Sequence, residues 1–165
     1  MTKINNTMAA FDRNFNIFTE ITPEMIKSDG GKGILIDLDD TLAPRNMPVC
    51  NETVKNWVKK VKESGLFICI VSNNHKKRTT LYANSLDIAF IYNAFKPMQF
   101  CVKRAMNVLN LNADEIIFIG DQLMTDMKAA KNVGIKGYLV DPINLKSGIM
   151  IKIKRIIEKK LYKRK

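Results

Sequence analysis

Asp37 and Asp39 follow an apolar run, Ile34-Leu35-Ile36, and Thr41 continues the same spacing. A short unbroken apolar run behind glycine is the pattern of a strand buried on both faces. Alternation along such a strand starts Asp37, Asp39 and Thr41 toward one side and Asp40 toward the other. Two carboxylates aimed into one small volume repel each other unless a cation or a shared proton lies between them. The carboxyl end of a parallel strand is also where open α/β sheets place their ligands. Three more polar signals follow apolar runs or short connectors: Ser72 after residues 66–71, Lys96 after residues 88–91, and Gly120-Asp121 with Asp126 after residues 116–119. Phosphoryl transfer requires such a set, because its transition state spreads negative charge over oxygens that a protein answers with a nucleophile, positioning and positive charge.

The spacing Asp37-x-Asp39-x-Thr41 resembles the first motif of the haloacid dehalogenase (HAD) phosphatases, and Ser72, Lys96 and Gly120-Asp121 with Asp126 come in the order of that superfamily's later motifs. Each alone has an ordinary reading: Ser72 a turn residue, Lys96 a solvated charge beside a proline, Asp121 and Asp126 acids at a helix start. Four in register over the whole core are specific. A narrower resemblance covers residues 20–160. Ile21-Thr22-Pro23-Glu24, Ser72-Asn73-Asn74, Lys96-Pro97 and Gly120-Asp121-Gln122-Leu123-Met124-Thr125-Asp126 look like the YqeG-type HAD proteins of subfamily IIIA, which are similar to the mitochondrial phosphatidylglycerophosphate phosphatases. That family often carries Asn at the position of Asp40, which reads here as a local turn former outside the chemistry.

The resemblance implies roles residue by residue. Asp37 would attack phosphorus and form an aspartyl phosphate. Asp39 would act as general acid, then general base. Ser72 would bind a phosphoryl oxygen through its hydroxyl and backbone N–H, and Lys96 would neutralise phosphate charge while keeping Asp37 ionised. Mg²⁺ would be held by Asp37, by the main-chain carbonyl of Asp39 and by Asp121, since this hard ion takes one or two carboxylates with phosphate and water. Asp126 would bind a metal water or Lys96. Thr41, Asn73 and Gly120 would support these groups. His75 is the single histidine, so no histidine-based triad has a second member; it reads as exposed at a helix start.

These side chains need a sheet to converge. Thr22 reads as an N-cap with Pro23 at the first helical position, and this short helix ends near Asp29-Gly30-Gly31. Asn51 caps a second helix whose Val54, Trp57, Val58 and Val61 form one apolar face, closed by Gly65. A basic helix covers about residues 75–85. Pro97 suits the first turn of the next helix, with Cys101, Ala105, Val108 and Leu109 inward. The last helix runs past Met127 and Ala130 to a Gly134 cap, and residues 137–140 form a fifth strand. Strands alternating with helices predict a doubly wound parallel sheet, which the resemblance sharpens to a HAD-like (Rossmannoid) three-layer α/β fold. Residues 1–20 carry Phe11, Phe15 and Phe18 at a spacing open to helix or strand.

A chain of 165 residues bounds this to one domain. Cys50, Cys69 and Cys101 show neither a disulfide framework nor a zinc spacing, which fits a reducing, cytoplasmic setting. No apolar run reaches bilayer length, and the N-terminus lacks the apolar core of a signal peptide. Between Asp37 and Ser72, and between Ser72 and Lys96, the chain has room for the core elements but not for a cap domain. A capless site suits a phosphate protruding from something large, unless oligomerisation builds a lid. Of the net charge of +11, residues 146–165 carry +8. Ile149, Ile153, Ile156, Ile157 and Leu161 stripe this segment, so residues 143–165 are expected to form a basic amphipathic helix. Such a helix suits an anionic phospholipid surface, peripheral on the cytoplasmic face of a membrane; packed on the sheet it would show the same stripe. A nucleic-acid terminus or a soluble phosphomonoester is the alternative substrate. A non-catalytic phosphate-binding module is a further alternative, disfavoured by the intact Asp37, Asp39, Lys96 and Asp121.

Overall fold

Apolar runs bounded by glycine or polar loops become the strands of one sheet in the computed structural model, which describes residues 10–144. The strands are β1 (Arg13–Phe15), β2 (Gly33–Ile36), β3 (Phe67–Val71), β4 (Ala89–Ile91), β5 (Ile116–Gly120) and β6 (Lys136–Val140), all parallel, in the order β1-β6-β5-β2-β3-β4. The central strand β2 is buried along its whole length, with Ile34 level with Ile68 on one side and Ile117 on the other.

Helices cover both faces, and the pleat sorts β2 between them. Ile34 and Ile36 pack in a core with α1 (Pro23–Ser28), α2 (Glu52–Glu63) and α3 (Lys76–Asn84). Leu35 packs on the opposite face with α4 (Gln99–Leu109) and α5 (Lys128–Val133). The predicted caps are in place: Thr22 accepts the Met25 N–H at 3.3 Å and Asn51 accepts the Val54 N–H at 3.0 Å. Trp57 is core, its Nε1 donating to the Ile21 carbonyl at 2.9 Å. All three cysteines are buried and unpaired.

Three readings of the sequence change. The aromatic segment before residue 20 supplies a sixth strand, β1, which pairs with β6 and is tied down by Arg13 donating to both oxygens of Asp29 at 2.8 and 2.7 Å. Pro97 lies ahead of α4 rather than in its first turn: Met98 donates back to the Phe95 carbonyl at 2.9 Å, and the helix starts at Gln99. Within α4, Val102 is buried and Val108 is 53% exposed. Positions 102 and 108 flank the 101-105-109 stripe at equal angles on opposite sides, so spacing alone does not choose between them, and the core packs on the side of Val102. The expected helix over residues 143–165 falls, apart from its first two positions, outside the described residues. Among the described residues, no helix is long and apolar enough to cross a membrane.

Candidate active site

The chain leaves β2 toward β3 and β4, then returns to β5 and β6 on the other side. The strand order therefore switches at β2, and the loops leaving β2, β3 and β5 meet at its carboxyl end. Asp37 keeps the register of the strand, its N–H donating to the Ile119 carbonyl at 2.9 Å. Residues 38–43 then fold into a tight loop in which Leu42 and Ala43 both donate to the Leu38 carbonyl, at 3.0 and 3.1 Å. Asp40 turns this loop at φ 64°, a conformation Asp tolerates better than most side chains. It faces Arg45 and Asn144 rather than the other acids.

Lys96 organises the site. Its side chain is 2% exposed. Nζ donates to Asp37 Oδ1 at 2.6 Å and to the Val71 carbonyl at 2.7 Å, and it lies 2.8 Å from Asp126 Oδ1. Asn73 fixes the lysine from behind: its Oδ1 accepts the Lys96 N–H at 2.7 Å and its Nδ2 donates to the Lys96 carbonyl at 3.3 Å.

Asp37, Asp121 and Asp126 are all buried, and each offers a carboxylate oxygen within 4.8 Å of the others. Thr41 donates to Asp121 Oδ1 at 3.0 Å, and Asp126 Oδ2 accepts the Gln122 N–H at 3.1 Å. Three buried carboxylates facing one ammonium would, if all ionised, leave two negative charges uncompensated. A divalent cation would balance them, and in its absence retained protons would. Burial pushes the Asp37 carboxyl well up, with Lys96 pulling it back. Burial and then Asp126 push Asp121 up to about 6, against the Thr41 hydrogen bond. Burial works against the charge of Lys96, but Asp126 and Asp37 outweigh it and hold the lysine cationic.

The raised Asp121 value sets a pH dependence. A folded pKa of about 6 against an ordinary 3.8 means that proton binding favours the folded state. That stability is fully present below the ordinary value and is lost as pH rises through about 6. Cation binding must displace the proton. The rise in Tm caused by millimolar Mg²⁺ over EDTA is therefore expected to be small at about pH 5 and to grow as pH rises through about 6 and beyond, since the Asp37 carboxyl is raised as well. A shift of the same size across that range would contradict the cluster as the binding site.

Gly120 shows why β5 must end without a side chain. A Cβ there would sit 2.4 Å from Asp126 Oδ2 and 2.5 Å from its Cβ and Cγ. Gly120→Ala is expected to cost about 1–3 kcal/mol of stability by overpacking and to displace Asp126 from Lys96. A variant with unchanged Tm and unchanged metal affinity would refute the close fit.

The remaining predicted residues divide. Ser72 is buried at the end of β3, its Oγ accepting the Asn74 N–H at 3.1 Å. Its own N–H donates to the Ile91 carbonyl at 2.9 Å, so the sheet takes up the backbone donor expected to bind a phosphoryl oxygen, and only the hydroxyl remains for that role. The Asp39 side chain leaves the carboxylate cluster that alternation alone would have it share with Asp37. Regular strand pairing stops at Ile36, so alternation no longer holds beyond it. Asp39 Oδ2 instead accepts from Asn74 Nδ2 at 2.9 Å, and Oδ1 accepts from Arg78. Its main-chain carbonyl is the atom the family resemblance assigned to the metal. His75 is exposed and caps α3, its Nδ1 accepting the Arg78 N–H at 3.3 Å. Sequence reasoning did not single out Asn74 or Arg78. Asn74 lies within the Ser72-Asn73-Asn74 motif, whereas nothing in the sequence separates Arg78 from the neighbouring Lys76 and Lys77.

Known proteins share this fold and, in one case, much of this sequence. The family model described as HAD-hydrolase-like matches residues 94–142, which hold Lys96, Asp121 and Asp126. "Probable phosphatase YqeG" of Bacillus subtilis (strain 168) is 37% identical over 146 residues, covering 88% of this chain and 84% of that protein. The fold resembles the cobalt-bound deoxy-D-mannose-octulosonate 8-phosphate phosphatase YrbI of Haemophilus influenzae, with TM-score 0.55, 14% identity and coverage of 81% of this chain and 90% of that one. It also resembles CbbY of Rhodobacter sphaeroides in complex with phosphate, with TM-score 0.55, 12% identity and coverage of 71% and 91%.

Proposed function

The chain belongs to the HAD-like hydrolase family, and from that premise we propose that it is a phosphatase that hydrolyses a phosphomonoester through an aspartyl phosphate on Asp37. The observation that carries this reading is Lys96 Nζ lying 2.6 Å from Asp37 and 2.8 Å from Asp126, in a buried cluster completed by Asp121. Asp37 attacks phosphorus, and the bond to the leaving oxygen breaks as Asp39 delivers it a proton. Asp39 then takes a proton from water as that water attacks the phosphorus of the aspartyl phosphate, freeing phosphate and Asp37. Lys96 keeps Asp37 oriented and answers the charge on the phosphoryl oxygens. The Ser72 hydroxyl binds one of those oxygens. Mg²⁺ held by Asp37, Asp121 and the Asp39 carbonyl would supply further positive charge against the phosphoryl group, with Asp126 shared between the ion's surroundings and Lys96.

In this reading the chain sits in subfamily IIIA, and its substrate is phosphatidylglycerophosphate, converted to phosphatidylglycerol by an enzyme peripheral on the cytoplasmic membrane face. Three features support a lipid-borne phosphate. The segments joining β2, β3, β4 and β5 to their helices carry no inserted domain that could close over a small substrate. Phe95 and Met98 are exposed on the loop that carries Lys96, Met124 is exposed in the helical turn Leu123–Met127 that carries Asp126, and Phe100 is exposed in the first turn of α4. The basic, apolar-striped sequence of residues 146–165 has the composition of a segment that lies on anionic lipid. A phosphate-release screen with Mg²⁺ tests the assignment, comparing phosphatidylglycerophosphate in mixed micelles with free nucleotides and 5′-phosphorylated oligonucleotides. The lipid is expected to be turned over fastest, with release abolished by EDTA. Preference for nucleotide or oligonucleotide would replace the lipid assignment and leave the phosphatase one.

A further inference from the structure

We propose that Arg78 is the positioning residue for the general acid, acting through Asp39 rather than on the substrate. The inference rests on the phosphatase reading. Arg78 lies on the first turn of α3, and its side chain is 10% exposed against 12% for Asp39. Its Nε and Nη2 donate to Asp39 Oδ1 at 3.3 and 3.2 Å. Nη2 also donates to the Pro44 carbonyl at 3.1 Å, and Nη1 donates to the Met47 carbonyl. The guanidinium carbon lies 5.4 Å from the Tyr82 ring centroid.

A guanidinium has five N–H donors in a fixed plane. Four hydrogen bonds here run to Asp39 and to the loop carrying residues 44 and 47, so little of Arg78 remains to bind phosphate. The plane of the fork instead dictates where Asp39 Oδ1 stands, while Asn74 Nδ2 fixes Oδ2 at 2.9 Å. The two acids of the first motif are thus assigned to different cations. Lys96 holds the nucleophile, and Arg78 holds the group that must meet the leaving oxygen. A carboxyl aimed from a fixed position contributes to catalysis through geometry first.

The test uses the leaving group. A proton donor matters greatly for an alkyl phosphate, whose alkoxide leaves badly, and little for 4-nitrophenyl phosphate, whose phenolate leaves unaided. kcat/KM reports the steps through leaving-group departure. In Arg78→Ala, kcat/KM for an alkyl phosphate such as glycerol 3-phosphate is expected to fall about 10²-fold, with a less than about 5-fold loss for the aryl ester. Arg78→Lys, which keeps the charge but not the fork, is expected to show the same selective loss. The ratio of the two esters, read on one preparation, does not depend on how much of the variant folds. In an Asp39→Ala background, Arg78→Ala is expected to lower the alkyl rate no further. Equal losses on both esters, or a full additional loss in the Asp39→Ala background, would overturn the role and leave the phosphatase reading standing. No turnover of either ester, nor of any phosphomonoester in the screen above, by the unsubstituted chain would remove both.

Discussion

Asp37→Asn is expected to reduce phosphomonoester hydrolysis by about 10⁴- to 10⁶-fold while leaving the fold intact. The size follows from the role. An amide of the same shape keeps a place in the site but cannot donate an electron pair to phosphorus and become the acyl phosphate. What remains would be the charge stabilisation offered by Lys96 and the bound cation. Stability should move the other way. Burial pushes the Asp37 carboxyl well up, so its ionised form is costly in the folded protein. Replacement by a neutral amide removes that cost, and Asp126 still pairs Lys96 at 2.8 Å. Without added metal, the Tm of the variant at neutral pH should equal or exceed that of the unsubstituted chain. Steady-state phosphate release and melting in EDTA check both halves. Retained turnover would move the nucleophile elsewhere, and a large fall in Tm would mean that Asp37 acts mainly as a structural partner of Lys96.

Lys96→Met carries the second largest effect, and its size depends on pH. Removing the ammonium strips the partner from Asp37 and Asp126 and the hydrogen bond from the Val71 carbonyl. Leaving buried carboxylates without their cation is expected to cost about 3–5 kcal/mol at neutral pH. Because Lys96 lowers the Asp37 value, its removal raises the folded pKa further above that of the unfolded chain. The stability of the variant should then be retained in acid, where the carboxyls are protonated, and lost as pH rises through the raised values. The Tm gap between variant and unsubstituted chain should therefore be small at about pH 4 and widest above about pH 7. Activity should fall by about 10³-fold or more. A Tm gap independent of pH would show that the lysine acts through packing alone, and retained activity would remove it from the site.

Much of this arrangement was legible because its chemistry begins where strands end. Apolar runs of fixed length located β2, β3 and β5, and Asp37, Ser72 and Asp121 follow from their boundaries and from the switch in strand order. Lys96 was legible by its place in the motif order and Asn73 as a supporting residue of the same resemblance, yet the reach of the lysine into the cluster also depends on the turn made by Phe95 at φ 49°, which has no signature of its own. β1 was not legible. Three residues, Arg13-Asn14-Phe15, show no alternation, and they become a strand because β6 offers an edge and Asp29 holds Arg13. The separation of Asp39 from Asp37 was hidden for a similar reason. A two-residue period holds only while the strand lasts, and the loop after Ile36 redirects everything beyond it. Arg78 is a purely tertiary feature, one basic residue among several on α3 that happens to face the loop from β2. Charge pattern alone could not distinguish it from the solvated lysines beside it.

The measurement closest to the central claim is chemical capture of the intermediate. The chain is mixed with a turned-over phosphomonoester and Mg²⁺, quenched in acid and reduced with borohydride, which converts an acyl phosphate on Asp into homoserine. Peptide mass spectrometry then locates the change. Homoserine is expected at position 37 alone, dependent on substrate and absent from Asp37→Asn. Modification of Asp39, Asp121 or Asp126 instead, or no modification during demonstrated turnover, would contradict it.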